Sequence, residues 1–119
     1  MAKQRDEGLG HLAEAERLVA EIEERWAEAE LYRVRGELLR AGHAAAAAER
    51  CLRQAIGIAQ HQSAKFWELR AAISLARLWR EQDKRDAARD LLAPIYGWFA
   101  EGFDTPLLKD AKALLDTLA

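Results

Sequence analysis

The chain has 119 residues, of which 50% are apolar and 32% charged, as is typical of a single globular domain. Its 18 basic and 20 acidic residues leave a net charge of −2, so no broad basic field favours nucleic acid or an anionic membrane. The longest apolar run, Ala44 to Ala48, is far too short for a membrane span. No apolar signal region follows the charged N-terminal residues, and we therefore expect a cytoplasmic protein.

Strong helix formers dominate the sequence, and both prolines lie after position 93. Apolar residues recur at spacings of three and four, which predicts helices with one apolar stripe each. A first helix is predicted over residues 5–24 and a second over 26–41. Gly42 is the expected end of the second helix, because glycine tolerates the left-handed conformation at this position.

Four more helices are predicted after Gly42, and local signals mark their ends. Ser63 and Asp83 are expected to cap two of these helices, and Thr105 followed by Pro106 is expected to begin the last. Pro94 lies inside a helical segment and predicts a kink. The four predicted helices span residues 44–62, 63–82, 83–101 and 105–118.

The predicted helices show an internal period of 40 residues. Residues of similar size stand one period apart in three pairs, namely Gly36 with Ala76, Ala48 with Ala88, and Leu52 with Leu92. Small residues let two helices approach closely, and large ones fill the gaps beside them. The period therefore predicts a repeated helical hairpin.

This pattern resembles the tetratricopeptide repeat. The residues that match its alternation of small and large positions are Tyr32, Gly36, Leu39, Ala48, Leu52 and Ala55 in one repeat, and Ala72, Leu75, Ala76, Trp79, Ala88 and Leu92 in the next. Arg35 occupies an apolar position of the family pattern and Ile95 a small one, and the proline usual after the second helix is missing from the first repeat.

The resemblance implies an all-α, right-handed stack of antiparallel helix hairpins with about six helices. Residues 1–24 would form half a repeat, 26–62 and 63–101 two repeats, and 105–118 a capping helix. From Leu75 to Leu118 the sequence is also similar to the C-terminal repeat end of large bacterial regulators. In those signalling proteins a cyclase-like or DNA-binding head is joined to an ATPase domain, which implies that this chain is such a tail.

The sequence contains no pattern that predicts catalysis. The glycines form no phosphate-binding loop, and His11, His43 and His61 lack metal-ligand spacing. Cys51 lies on an alanine and leucine stripe, where a small buried thiol is the better interpretation than a nucleophile. We therefore expect no enzymatic activity, no cofactor and no metal.

Four aromatic residues, Tyr96, Trp98, Phe99 and Phe103, crowd the end of the predicted second repeat. A pocket for a ligand is one interpretation. The other, which we favour, is packing of the last helix over the end of the stack.

In the tetratricopeptide family, the first helix of each hairpin lines a concave groove that receives a peptide. The resemblance assigns eight residues to this peptide-binding groove, five of them arginines: Glu30, Arg33, Glu37, Arg40, Arg70, Ile73, Arg77 and Arg80. Arginines bind carboxylates in two-point contacts, so an acidic peptide or a C-terminal carboxylate is the expected ligand. A solvated face of mixed charge is the alternative.

Three functions remain open on the sequence alone. The first is a protein–protein interaction scaffold, which binds a protein or peptide in the groove. The second is a self-associating tail, a homodimer through the N-terminal helix. The third is a small-ligand sensor that uses the aromatic end.

Overall fold

The computed structural model describes residues 2–99 and 105–119, with side chains at 13–18, 20, 27–99 and 105–119. These residues form five α-helices and no strand, which confirms the predicted all-α stack. The helices are α1 (Ala2–Ala41), α2 (Ala45–His61), α3 (Lys65–Glu81), α4 (Arg85–Trp98) and α5 (Pro106–Leu118).

The predicted break between residues 24 and 26 is absent, because α1 is one continuous helix of 40 residues. No proline or turn-forming pair interrupts the sequence before Gly42, so nothing stops the helix from propagating. The predicted half repeat 1–24 is thus the N-terminal part of the helix that opens the first hairpin. At 1.5 Å per residue α1 is ~60 Å long, against ~25 Å for α2. The longest dimension of the molecule, 67 Å, reflects this helix.

The three loops that join α1 to α4 share one geometry. His43, Ser63 and Asp83 each adopt a positive φ, between 55° and 63°. In each loop the next amide donates a hydrogen bond to a carbonyl five residues earlier, as in Ala44 to Leu39 at 2.8 Å. This is the Schellman arrangement, which satisfies carbonyls left free at a helix end. The same loop therefore recurs every 20 residues and makes consecutive helices antiparallel.

These loops correct three predictions about helix ends. His43 rather than Gly42 holds the left-handed conformation. Ser63 and Asp83 do not cap the following helices, whose N-cap residues are Ala64 and Lys84, without side-chain hydrogen bonds. The physical reason is that one residue cannot both close a Schellman turn and occupy the cap position one residue later.

Two other predictions about helix ends are confirmed. Thr105 caps α5, where its Oγ1 accepts a hydrogen bond from the amide of Leu108 at 3.3 Å, and Pro106 is the first residue of the helix. Pro94 lies inside α4, which ends at Trp98. The end predicted near residue 101 lies outside the described residues.

The five helices form two layers. Each packs against its neighbours in sequence, and α1, α3 and α5 also pack against one another. Within the described helices, α2 and α4 make no such contact. Because the odd-numbered helices approach each other and the even-numbered ones diverge, the stack curves toward the layer of α1, α3 and α5. That layer forms its concave face.

The core is centred on α3, which is enclosed by the other four helices. Ten of its 17 residues are buried, among them Leu69, Leu75 and Trp79. Leu52 of α2 and Leu92 of α4 are also fully buried. A helix that is buried on most of its circumference is held rigidly, so side chains on the remaining face of α3 have fixed starting positions.

The closest approach of two helices in the described structure that involves a glycine is at Gly36. A Cβ placed on Gly36 would lie 2.7 Å from Cγ of Leu52 and 3.3 Å from the carbonyl oxygen of Ala48. The absence of a side chain at Gly36 thus lets α1 sit directly on α2. Gly57 is also inside a helix, but a Cβ there would meet nothing within 4 Å.

Gly36→Ala and Gly57→Ala should therefore change stability in opposite directions. Alanine improves helix propensity by ~1 kcal/mol at either site. At position 36 overpacking against Leu52 costs ~1–3 kcal/mol and outweighs this gain. Urea unfolding of the two variants measures both effects. A more stable Gly36→Ala variant would contradict the close contact between α1 and α2.

A polar cluster joins α2 to α3. The indole Nε1 of Trp79 donates a hydrogen bond to Oε1 of Glu49 at 2.5 Å, and the guanidinium of Arg53 lies over the Trp79 ring at 5.2 Å. Arg53 also donates to Glu49 at 3.3 Å. The hydrogen bond from Trp79, followed by the positive charge of Arg53, lowers the pKa of Glu49 below its usual 4.5. The ionised carboxylate is therefore the form that the fold stabilises.

Stability should depend on the ionisation of Glu49. Because its pKa is lower in the folded protein, the contribution is fully present above the unfolded pKa and is lost as the pH falls through the folded pKa. Glu49→Gln should destabilise the protein at neutral pH and have little effect in acid. Urea unfolding at several pH values tests this, with the exposed Glu14→Gln as control. An equal effect of Glu49→Gln at all pH values would contradict it.

Candidate functional site

The eight residues predicted for the groove lie along one stripe of α1 and the corresponding stripe of α3. On the concave face, Arg33, Arg70, Ile73 and Arg77 line a cavity of about 420 Å³. Ile73 is 3% exposed and forms its floor, so it offers little surface to a ligand. The structure brings these four residues together, whereas Glu37 and Arg40 do not line this cavity.

The arginines of α1 are neutralised by acidic residues of the same helix. Arg33 forms a two-point contact with Glu30, through Nε at 2.9 Å and Nη2 at 2.6 Å. Arg40 pairs with Glu37 at 2.8 Å. These hydrogen bonds raise the pKa of both arginines, against the opposing effect of burial. The α1 side of the groove therefore carries little uncompensated charge.

Two ion pairs tie α1 to α3 across the groove. Arg40 binds Glu81 at the end of α3, and Arg70 reaches Glu30 at 3.5 Å. Arg70 also lies over the ring of Trp67, 5.7 Å from its centroid. Both pairs are partly exposed and are worth at most ~1 kcal/mol each. Their main effect is to orient Arg40 and Arg70 along the surface.

Arg77 differs from the other groove arginines. It is half-buried, yet it forms no hydrogen bond and no ion pair with any residue in the part of the chain that the structure describes. It lines both the main cavity and an adjoining one of about 210 Å³. Arg80, one turn further on, donates a hydrogen bond to Thr117 of α5 at 3.2 Å. Arg77 is therefore the groove arginine best placed to accept an external anion.

The sequence analysis missed the contribution of α5, which it treated only as a cap. Asp110 lines both cavities, and Ala113 and Thr117 line the smaller one. A second extension of the 40-residue period would have found them, because it carries Glu30 to Arg70 and then to Asp110. The groove thus has three walls, and its α5 wall carries an acidic residue beside Arg77.

The aromatic residues near the end of the second repeat do not form one pocket in the described structure. Trp98 is 63% exposed and packs edge-on against Phe99, with ring centroids 4.9 Å apart. Tyr96 packs against the core. Only Phe99 lines a cavity, an apolar one of about 190 Å³ shared with Phe66. Phe103 lies outside the described residues.

The described part of the chain has no further site of recognisable chemistry. Within it, no group of His, Cys, Asp and Glu side chains could hold a metal ion. Cys51 is half-buried rather than fully buried. No helix in the described residues combines the length and the apolar character needed to cross a membrane.

Comparison of the chain with protein-family models, curated proteins and solved structures finds no match. Function must therefore be argued from the geometry of the concave face.

The environment of Arg77 makes a prediction about stability. Its guanidinium has no partner among the described residues, so Arg77→Met should leave the free energy of unfolding within ~0.5 kcal/mol or raise it. Arg33→Met breaks the two-point contact with Glu30 and should cost ~1 kcal/mol. Urea unfolding compares the two variants. Arg77→Met proving the more destabilising would indicate that Arg77 has a structural role.

Proposed function

We propose that the protein is a non-enzymatic scaffold that binds an acidic peptide segment along its concave face. The observation that carries this proposal is Arg77, a half-buried guanidinium with no partner in the described residues, placed where two cavities join. A guanidinium with free donors binds a carboxylate through two parallel hydrogen bonds. A carboxylate of the ligand would give Arg77 the partner that the chain itself does not supply.

The shape of the site favours an elongated ligand. The two cavities follow one another along α3 and α5, and both are bounded by Arg77 and Asp110. A small compact molecule would fill only one of them, whereas an extended peptide would occupy both. Arg77 would hold an acidic side chain or terminus of the ligand, and Asp110 would favour a hydrogen-bond donor next to it.

The resemblance to tetratricopeptide repeats supports the same function. In that family the concave layer of first helices binds peptides, and here α1, α3 and α5 form such a layer. The small residues that carry the resemblance, Ala48, Ala76 and Ala88, are fully buried, as close helix packing requires. A cytoplasmic role in bacterial signalling, as the tail of a larger regulator, is consistent with this proposal.

The proposal predicts selective binding of acidic peptides. A fluorescent peptide of about eight residues in extended form matches the ~25 Å length of α3. We expect an Asp/Glu-rich peptide to bind more tightly than a Lys/Arg-rich one, and binding to weaken as salt is added. In fluorescence anisotropy, Arg77→Glu should weaken this binding by about tenfold or more.

Arg89→Glu is the matched control. Arg89 is exposed on α4, outside the concave layer, and its reversal changes the net charge by the same amount. If Arg77→Glu and Arg89→Glu weaken binding equally, only the overall charge matters. If neither does, the groove is not the site.

A further inference from the structure

A second surface of the molecule lies on α1, on the side away from α2. Leu31, Val34 and Leu38 are 54%, 41% and 70% exposed, although all three are large apolar residues. Ala27 and Ala41 extend the line at both ends and are exposed as well. We call these five residues the α1 stripe. Their spacing alternates between four and three, which is the heptad pattern of a helix that packs against another helix.

The repeat itself indicates that a helix belongs on this stripe. Loops of the same geometry at His43 and Asp83 place α1 and α3 in register, 40 residues apart. The residues of α3 that correspond to Leu31, Val34 and Leu38 are Ala71, Ser74 and Leu78, each 2% exposed. The face of α3 that matches the α1 stripe is therefore buried inside the stack. On α1 the same face meets no other described helix.

The charges beside the stripe identify the covering helix. Glu28 and Arg35 are both exposed and lie on the same flank, each directly after a stripe residue. Glu28 makes no ion pair with a described residue, and Arg35 only stacks over Tyr32, at 5.4 Å. The residue of α3 that corresponds to Arg35 is Leu75, which is 1% exposed. An apolar helix would therefore suit the stripe but not Arg35, which needs an acidic neighbour.

We propose that the α1 stripe is the interface of a homodimer in which two copies of α1 pack antiparallel. A two-fold axis between residues 32 and 33 places Leu31 against Val34 of the second copy, and Ala27 against its Leu38. In an antiparallel pair, like flanks face each other. Glu28 then lies within ~3 Å, along the helix axis, of Arg35 in the second copy, and the contact occurs twice.

The opposite flank of the stripe does not oppose this pairing. It carries Glu30 and Glu37, which approach their counterparts in the second copy. Each is already paired with an arginine of its own chain, Glu30 with Arg33 and Glu37 with Arg40. The repulsion between the two copies is reduced accordingly. Because the concave groove lies to one side of the stripe, the dimer leaves Arg77 accessible.

The stripe is short, which sets the expected strength of the dimer. Residues 27 to 41 span ~21 Å of helix, about three heptad layers on each side. An interface of this size is at the low end for specific association, so we expect a dimer in reversible equilibrium with the monomer. Sedimentation velocity from low micromolar to near millimolar concentration should show the weight-average mass rising toward that of a dimer.

Charge reversal tests the pairing directly. Glu28→Arg and Arg35→Glu should each weaken the homodimer by about tenfold or more, because each creates two like-charged contacts. An equimolar mixture of the two variants should associate, because positions 28 and 35 then carry opposite charges in both contacts between the two chains. The double variant Glu28→Arg/Arg35→Glu should regain the dimerisation of the unaltered chain. Lys112→Glu, exposed on α5, is the control and should have no effect.

Leu38→Ser tests the apolar part of the interface. Leu38 is exposed, so the substitution should leave the monomer folded, as circular dichroism can verify, while it weakens the dimer. A chain that stays monomeric at every concentration would overturn the proposal. So would a dimer that survives both charge reversals and Leu38→Ser, or variants that fail to associate when mixed. None of these outcomes depends on whether peptides bind at Arg77.

Discussion

The fold depends on small side chains placed where helices cross. At Gly36 the absence of a Cβ lets Leu52 pack directly against the backbone of α1. Ala48, Ala76 and Ala88 lie in the same core with no exposed surface. Because α1, α3 and α5 approach each other and α2 and α4 do not, the stack bends, and the bend creates the concave face. The groove is thus a consequence of how closely these helices pack.

The helix α1 serves three purposes on three faces. One face packs against α2, a second lines the groove, and a third carries the exposed stripe of Leu31, Val34 and Leu38. A period of 3.6 residues keeps these faces separate along the whole helix. Peptide binding and dimerisation would therefore use different residues of the same helix, and neither would block the other.

Charge is distributed unevenly across the groove, and this unevenness gives it its proposed specificity. On α1 the arginines are bound by acidic residues three positions away, as in Arg33 with Glu30. On α3 the position three before Arg77 is Ser74, which cannot neutralise it. The same spacing that satisfies Arg33 thus leaves Arg77 without a partner among the described residues. A single residue difference between the two repeats determines where an anion would bind.

Much of the fold could be predicted because helix formation is largely local. The bounds of α2, α3 and α5 agree with prediction to within two residues, since apolar periodicity and the Thr105-Pro106 signal mark them. The predicted break near residue 25 was wrong because the change from one apolar stripe to another does not itself end a helix. Ser63 and Asp83 were misjudged because the same residue types suit both a cap and a left-handed turn.

The order of the amino acids was enough to establish that this chain is all-helical, that its pattern recurs every 40 residues, and that arginines share one face of α1 and α3. It could not show which of those arginines already have partners, because an ion pair depends on distances between side chains of packed helices. Packing also brings Asp110 of α5 to the cavities that Arg77 lines, and it leaves the α1 stripe uncovered. Burial is a property of neighbouring helices, and no single helix encodes it.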